Sequence, residues 1–297
     1  MKKLLSSLVI FFCTFASAQE VLKIIVPFAP GGNTDVTARL YAKELANQNI
    51  NAVVVNRPGA DGKVAVTEFL TAQPDGKTVL FGGNGSIVYP ALESREYYEN
   101  TRRLVPVMQA TVFGQILISR KESSIQTWKD LVATAKQRPV SIGVGTSVAK
   151  ALITDLFGDN PNIITVPFGG DSPTVMAVKN NTVDVAFVTF LFGPQVVAGE
   201  YNGLAVSTNT GMFGIKSFRE QGISVMRDQW IGFFAPPGTT PQQASRLHEI
   251  LNQARQSTEL QSAVKNQMHS MVADRRTPEE FADYIEKDYR RLLKLVK

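Results

Sequence analysis

Ile25-Val26-Pro27-Phe28-Ala29-Pro30-Gly31-Gly32-Asn33-Thr34-Asp35 is the stretch that decides the architecture. It runs from a β-branched strand through a Pro/Gly turn into a helix start at Asn33 or Thr34. Such a turn exposes main-chain N–H groups. Its glycines let a ligand approach the backbone, and the positive end of the following helix favours an anion there. A carboxylate or phosphate is the natural guest. The structural alternative is a tight turn in which Asn33 or Thr34 serves as an ordinary cap. Asp35 would repel an anion, so it is expected to orient the loop or to meet a ligand amine.

Working outward, the same strand–turn–helix grammar recurs. Val21–Val26, Ala52–Val55, Thr78–Phe81, Val140–Val144, Ile163–Val166 and Val183–Val188 are short β-branched runs that lead through turns into helical patterns. This alternation predicts an α/β fold. Lys23-Ile24-Ile25-Val26 lacks a period of two, as expected for a mostly parallel sheet covered on both faces. Two more loops repeat the first loop's chemistry: Gly145-Thr146-Ser147-Val148-Ala149, and Gly82-Gly83-Asn84-Gly85-Ser86, where Asn84 and Ser86 add an amide and a hydroxyl. Each alone also reads as a plain strand-to-helix turn; together they point to a convergent anion site. Phe168-Gly169-Gly170-Asp171 and the strand ending at Thr189 supply further candidate contacts in Phe168, Gly169 and Thr189, with core packing the competing role for Phe168, Phe187, Phe190 and Trp230. Asn56 to Gly62 forms a glycine-rich turn, at the cleft rim or purely structural.

Thr240-Pro241-Gln242-Gln243 and Thr277-Pro278-Glu279-Glu280 are capping boxes that start helices. After the second, Phe281, Ile285, Leu292 and Val296 recur at helical spacing and predict a C-terminal amphipathic helix docked on the first domain. The apolar segments Val105–Ile118 and Trp230–Ala235 are the expected hinge strands.

Composition narrows the function. The chain has 297 residues, 44% hydrophobic and 19% charged, which excludes a disordered polymer. Lys2 and Lys3, the apolar run Leu4–Ala16 and the small residues Ala16-Ser17-Ala18 predict a secretory signal peptide over 1–18. The run is too short for the ~20 residues of a membrane-spanning helix. Cleavage removes Cys13, the single cysteine, and brings 29 basic side chains against 26 acidic ones, so no nucleic-acid partner is implied. His248 and His269 are expected on the surface, and no His-Glu-x-x-His, Gly-x-Ser-x-Gly or Walker motif occurs. Neither a metal nor a cofactor is expected. Gly143-Val144-Gly145 lacks the third glycine of a dinucleotide loop, Val148 standing in its place.

At these residues the chain resembles a Bug-type periplasmic solute receptor, the substrate-binding component of tripartite tricarboxylate transporter systems. The carriers are Val-Pro-Phe-x-Pro-Gly-Gly-x-x-Asp at Val26–Asp35, Asn56-Arg57-Pro58-Gly59-Ala60-x-Gly62, Pro74-Asp75-Gly76, Gly82–Ser86, Val183-Asp184-Val185, Trp230-x-Gly232-x-Phe234-Ala235-Pro236 and Thr277-Pro278-Glu279-Glu280-Phe281. The resemblance implies a type II periplasmic-binding-protein fold, two α/β lobes joined by two crossover strands with a ligand cleft between them. Lobe 1 is expected over 19–112 and 231–297, and lobe 2 over 113–230. It implies a monomeric, non-enzymatic receptor for a small carboxylate, such as a dicarboxylate, amino acid or aromatic acid, delivered to a membrane permease or a sensor-kinase periplasmic domain. Carried over, the ligand contacts are Phe28, Ala29, Gly31, Gly32, Asn33 and Asp35 in one lobe and Thr146, Ser147 and Val148 in the other. This chain departs from relatives in reading Phe168-Gly169-Gly170 where Tyr-Lys-Gly-Gly is common, and in placing apolar Val188 after the Val-Asp-Val strand. The far end of the pocket is therefore expected to be more apolar. The alternative is a secreted enzyme acting on a small carboxylate, with Asp35 or Asp184 as acid/base.

Overall fold

The computed structural model describes residues 21–223, 229–266, 270–271 and 277–296. The expected signal peptide with Cys13, and His269, lie outside the described residues. The first elements are β1 (Val21–Val26), α1 (Asn33–Asn47), β2 (Asn51–Asn56), α2 (Lys63–Phe69), β3 (Thr78–Gly83), α3 (Asn84–Ile87), α4 (Tyr89–Glu93), α5 (Arg95–Thr101) and β4 (Val105–Phe113). There follow β5 (Gln115–Arg120), α6 (Trp128–Ala135), β6 (Val140–Val144), α7 (Ser147–Phe157), β7 (Ile163–Pro167), α8 (Asp171–Lys179), β8 (Val185–Thr189), α9 (Gly193–Val197) and β9 (Tyr201–Val206). The chain ends through β10 (Gln229–Ala235), α10 (Pro241–Gln256), α11 (Thr258–Asn266), β11 (Ser270–Met271) and α12 (Pro278–Val296).

Among the described residues these strands form two sheets, ordered β11-β4-β10-β3-β1-β2 and β7-β6-β8-β5-β9. β1 pairs in parallel with β2 and β3, while β10 runs antiparallel to β3 and β4. In the second sheet β6 is parallel to β7 and β8, and β5 antiparallel to β8 and β9. The apolar segment 105–118 is thus not one hinge strand: it divides at Gly114, where β4 leaves the first sheet and β5 enters the second. β10 returns the chain to the first sheet beside β4.

β10 explains why the first sheet must be covered on both sides, since all seven of its residues are buried. Alternation along a strand sends Trp230 and Phe234 to one face and Ile231 and Phe233 to the other. On the second face Phe233 meets Phe81 at 4.4 Å and Tyr41 of α1 edge-on at 5.0 Å. On the first, Trp230 packs edge-on against Phe281 of α12 at 5.5 Å, and its indole N–H donates to Asp288 Oδ2 at 2.9 Å. Phe281 lies where a Cβ on residue 232 would come within 2.5 Å of its ring, so Gly232 makes room for the C-terminal helix. Both capping boxes form: Gln243 N–H donates to Thr240 Oγ1 at 3.3 Å and Glu280 N–H to Thr277 Oγ1 at 3.2 Å. His248 departs from the surface expectation. Its Nδ1 sits 2.9 Å from the Val107 carbonyl oxygen, half-buried between α10 and β4, because the polar spacing of that helix conceals how closely it lies on β4.

The turn after β1 is held by Asp35. Its carboxylate accepts from Gly31 N–H at 2.8 Å, from Arg39 Nε at 3.0 Å and from Asn56 Nδ2 at 2.9 Å, and the Asn56 amide also donates to the Phe28 carbonyl at 3.0 Å. Burial opposes the charge on Asp35, but the Arg39 hydrogen bond, with those from Gly31 and Asn56, outweighs it and holds the carboxyl below its usual range. Of the two roles expected for Asp35, the structure gives it the orienting one.

Two outcomes follow from this packing. Phe281→Ala, which removes a fully buried ring, should lower the unfolding free energy by about 3–5 kcal/mol in a urea titration. A loss under about 1 kcal/mol would mean that α12 is not part of the cooperative unit. Asp35→Asn should cost about 1–3 kcal/mol at neutral pH. Because the folded pKa is depressed, that difference is present above the unfolded carboxylate pKa and should fade as pH falls below about 4. A difference unchanged down to about pH 3 would contradict the charged clamp.

Candidate ligand-binding cleft

Two helix N-termini meet between the sheets, at the carboxyl ends of parallel strands where α/β folds bind ligands. α1 starts at N-cap Gly32 and α8 at N-cap Gly170, and neither glycine offers a side chain to its first amides. Each end therefore depends on acceptors from outside its own helix for its first N–H groups, and carries a partial positive charge. They approach closely: a Cβ on Gly32 would lie 3.7 Å from Asp171 N, and Ala29 N–H donates to the Gly169 carbonyl at 3.0 Å. Behind them, a Cβ on residue 145 would meet the Gly170 carbonyl carbon at 2.7 Å, so only glycine fits there.

Asp171 occupies this junction. It is the first residue of α8, yet its carboxylate accepts from the Asn33 main-chain N–H of the facing helix, from the Thr189 N–H and, at 2.6 Å, from the Thr189 hydroxyl. It caps α1 from the other side of the cleft. Burial pushes its pKa up to about 6, against the three hydrogen bonds that favour the charged form.

The cleft is lined on its polar side by Asn33, Thr34, Asn84, Thr146, Asp171, Thr189 and Gln229 and on its apolar side by Phe28, Phe113, Trp230 and Ile231, around about 30 Å³ of free space. Asn33 and Gln229 are each 3% exposed, and Asn33 Oδ1, Asn33 Nδ2 and Gln229 Nε2 have no hydrogen-bond partner. An unpaired buried amide costs about 1–3 kcal/mol, so these groups are poised for something that enters the cleft.

Of the residues singled out in the sequence, Phe28, Gly32, Asn33, Asn84, Thr146 and Thr189 come together on this lining. Ala29 and Gly169 face each other across the rim through their backbone bond. Gly31 and Asp35 stand behind the loop in the clamp. The Ser86 hydroxyl turns back to Gly83, Thr146 caps α7 through Ala149 N–H at 3.2 Å, and Val148 is buried in the core, against α3. Ser147 Oγ donates to Asp61 Oδ2 at 2.8 Å, which ties α7 to the glycine-rich turn after β2. Phe168 packs on the apolar cluster under β8. Asp184 lies at the far end of β8 and accepts from Arg138 Nη2, Ser141 N–H and Ser141 Oγ at 2.8–2.9 Å. Burial opposes its charge, yet Arg138 and Ser141 together hold its carboxyl below the usual range. Neither Asp35 nor Asp184, the two acids named as candidates for the enzymatic alternative, is on the cleft lining. Asp171, Gln229, Phe113, Ile231 and the lining roles of Thr34 and Trp230 are what sequence reasoning missed. The signal for Asp171 was present, a carboxylate one residue after a Gly-Gly turn.

Known proteins resemble this chain in sequence and in fold. Residues 37–297 match the family model described as the tripartite tricarboxylate transporter family receptor. A UPF0065 protein of Bordetella pertussis is 31% identical over 239 residues, covering 73% of this chain and 71% of its own length. In fold the chain is similar to the periplasmic binding protein BugD, with a TM-score of 0.86, 23% identity and coverage of 93% and 96%. It is likewise similar to MatC from Rhodopseudomonas palustris with bound malate, at TM-score 0.86, 21% identity and coverage of 93% and 99%. The two sheets are thus the two lobes of a periplasmic-binding-protein fold, and the chain belongs to the tripartite tricarboxylate transporter receptor family.

Proposed function

We propose that this chain is a periplasmic receptor that captures a small organic acid between its lobes, 19–112 with 231–297 and 113–230, and delivers it to a membrane permease for uptake or to a sensor. The observation that carries this reading is the meeting of two glycine-capped helix N-termini beside the unpartnered, buried Asn33 side chain. Main-chain amides and hydroxyls that converge without a Lys or Arg hold a carboxylate by hydrogen bonds and helix dipoles rather than by a salt bridge. The malate bound to MatC supports a ligand of that class.

About 30 Å³ between the lobes is far less than the several hundred Å³ typical of a ligand pocket, so the described state is a closed one. Entry requires the lobes to part, which breaks the Ala29–Gly169 and Ser147–Asp61 bonds. The Phe28, Phe113, Trp230 and Ile231 wall would receive the apolar body of the ligand.

A carboxylate panel tests the reading. A ligand at about a hundred times its Kd stabilises the native state by about 2.7 kcal/mol, which should raise Tm by roughly 5–10 °C in a domain pair of this size. No shift and no binding heat across dicarboxylates, amino acids and aromatic acids would end the proposal. The cross-lobe latch has its own readout. Asp61 has φ 55°, so Asp61→Gly keeps the turn while removing the Ser147 contact. It should speed ligand release about three- to tenfold and leave association nearly unchanged; an unaltered off-rate would show that the contact is incidental to closure.

A further inference from the structure

Asp171 stands apart from the groups that would hold a ligand carboxylate. A receptor for anions has placed a carboxylate where two helix N-termini would otherwise receive one, and has given it the Asn33 amide. Among the described residues that line the cleft there is no Lys, Arg or His, and Asp171 is the single charged side chain. The two charged groups nearest in sequence on α1, Asp35 and Arg39, are paired with each other behind the loop. No other charge on the lining offsets Asp171.

The unpartnered atoms divide into two kinds. Asn33 Nδ2 and Gln229 Nε2 are donors, matched by a ligand carboxylate; Asn33 Oδ1 is an acceptor, and beside it the ionised Asp171 carboxylate, already hydrogen-bonded, offers acceptors alone. A plain dicarboxylate supplies acceptors alone. It would leave Asn33 Oδ1 unpaired and bring further negative charge beside a buried anion, an unfavourable arrangement in a site screened from water. An ammonium group brings three donors and a positive charge, and so satisfies the acceptors and neutralises Asp171 in one step.

We propose that Asp171 is the specificity-determining residue of the cleft, selecting an acid that carries an ammonium group over the same acid without it. This rests on the carboxylate-receptor reading and narrows it. The elevated pKa agrees with a carboxylate that is short of a cation, since burial disfavours its charge and the three hydrogen bonds offset burial only in part.

The test compares acids that differ only by an α-ammonium: succinate with L-aspartate, glutarate with L-glutamate, propionate with L-alanine. Each is titrated calorimetrically into the full mature protein and into Asp171→Asn. The wild type should favour the amino acid by about tenfold or more in each pair that binds, and Asp171→Asn should bring the two members within about threefold, with the ammonium-free acid bound no more weakly than before. Equal affinities in the wild type, a preference for the ammonium-free acid, or a ratio that survives in Asp171→Asn would each overturn the assignment while leaving the receptor reading intact. If none of the six acids binds or shifts Tm but an aromatic acid does, this assignment is overturned and the receptor reading stands; if the aromatic acids fail as well, both fall. Should Asp171→Asn not fold, Asp171→Ser keeps a small acceptor at the end of α1 and serves in its place. The wild-type ratios decide against the assignment without any variant.

Discussion

Everything in the cleft depends on two helices that start with glycine and point their N-termini at each other. A helix end left without a side-chain cap has amides that need acceptors and a dipole that needs an anion. α1 and α8 share this need across an interface, so the lobes come together most favourably when something anionic stands between them. The sheets supply the rigidity that makes the arrangement specific. β10, buried along its whole length, locks α1 and α10 on one face and α12 on the other, and the Asp35 clamp fixes the turn that launches α1.

Three aspartates show how environment assigns role. Asp35 and Asp184 are each met by an arginine and by donors from the backbone, and each stays ionised as a structural staple, one behind the binding loop and one at the remote end of β8. Asp171 has hydrogen-bond donors but no cation, and stands on the cleft lining with its pKa raised. A carboxylate stapled by arginine has no charge left to offer a ligand. One that lacks a counter-ion does, and this difference separates structural from functional acids more sharply than proximity to a motif.

The strands, the capping boxes and the loop after β1 were legible in the sequence because they are local: β-branched runs, Thr-Pro starts and Gly-Gly turns dictate backbone within a few residues. The docking of Phe281 and Leu292 was legible from helical spacing alone, and both are fully buried. Side-chain direction was not. Ser147 and Val148 open α7 and Ser86 lies in α3; Val148 faces the core against α3 and Ser147 reaches Asp61, partners that become neighbours only when distant segments meet, while the Ser86 hydroxyl turns back to nearby Gly83. Gln229 lies far beyond the second anion loop measured along the chain, although it shares the cleft lining with Asn33.

The sequence by itself determined the α/β class, the family and several of the segments that line the candidate cleft, since each follows from short-range backbone preferences and from motifs read in order. Tertiary structure decided which lobe caps which helix, that Asp35 faces its own loop while Asp171 faces the cleft, and which polar atoms are left in want of partners. Those outcomes depend on burial and on the meeting of two sheets, quantities that no local stretch of chain contains.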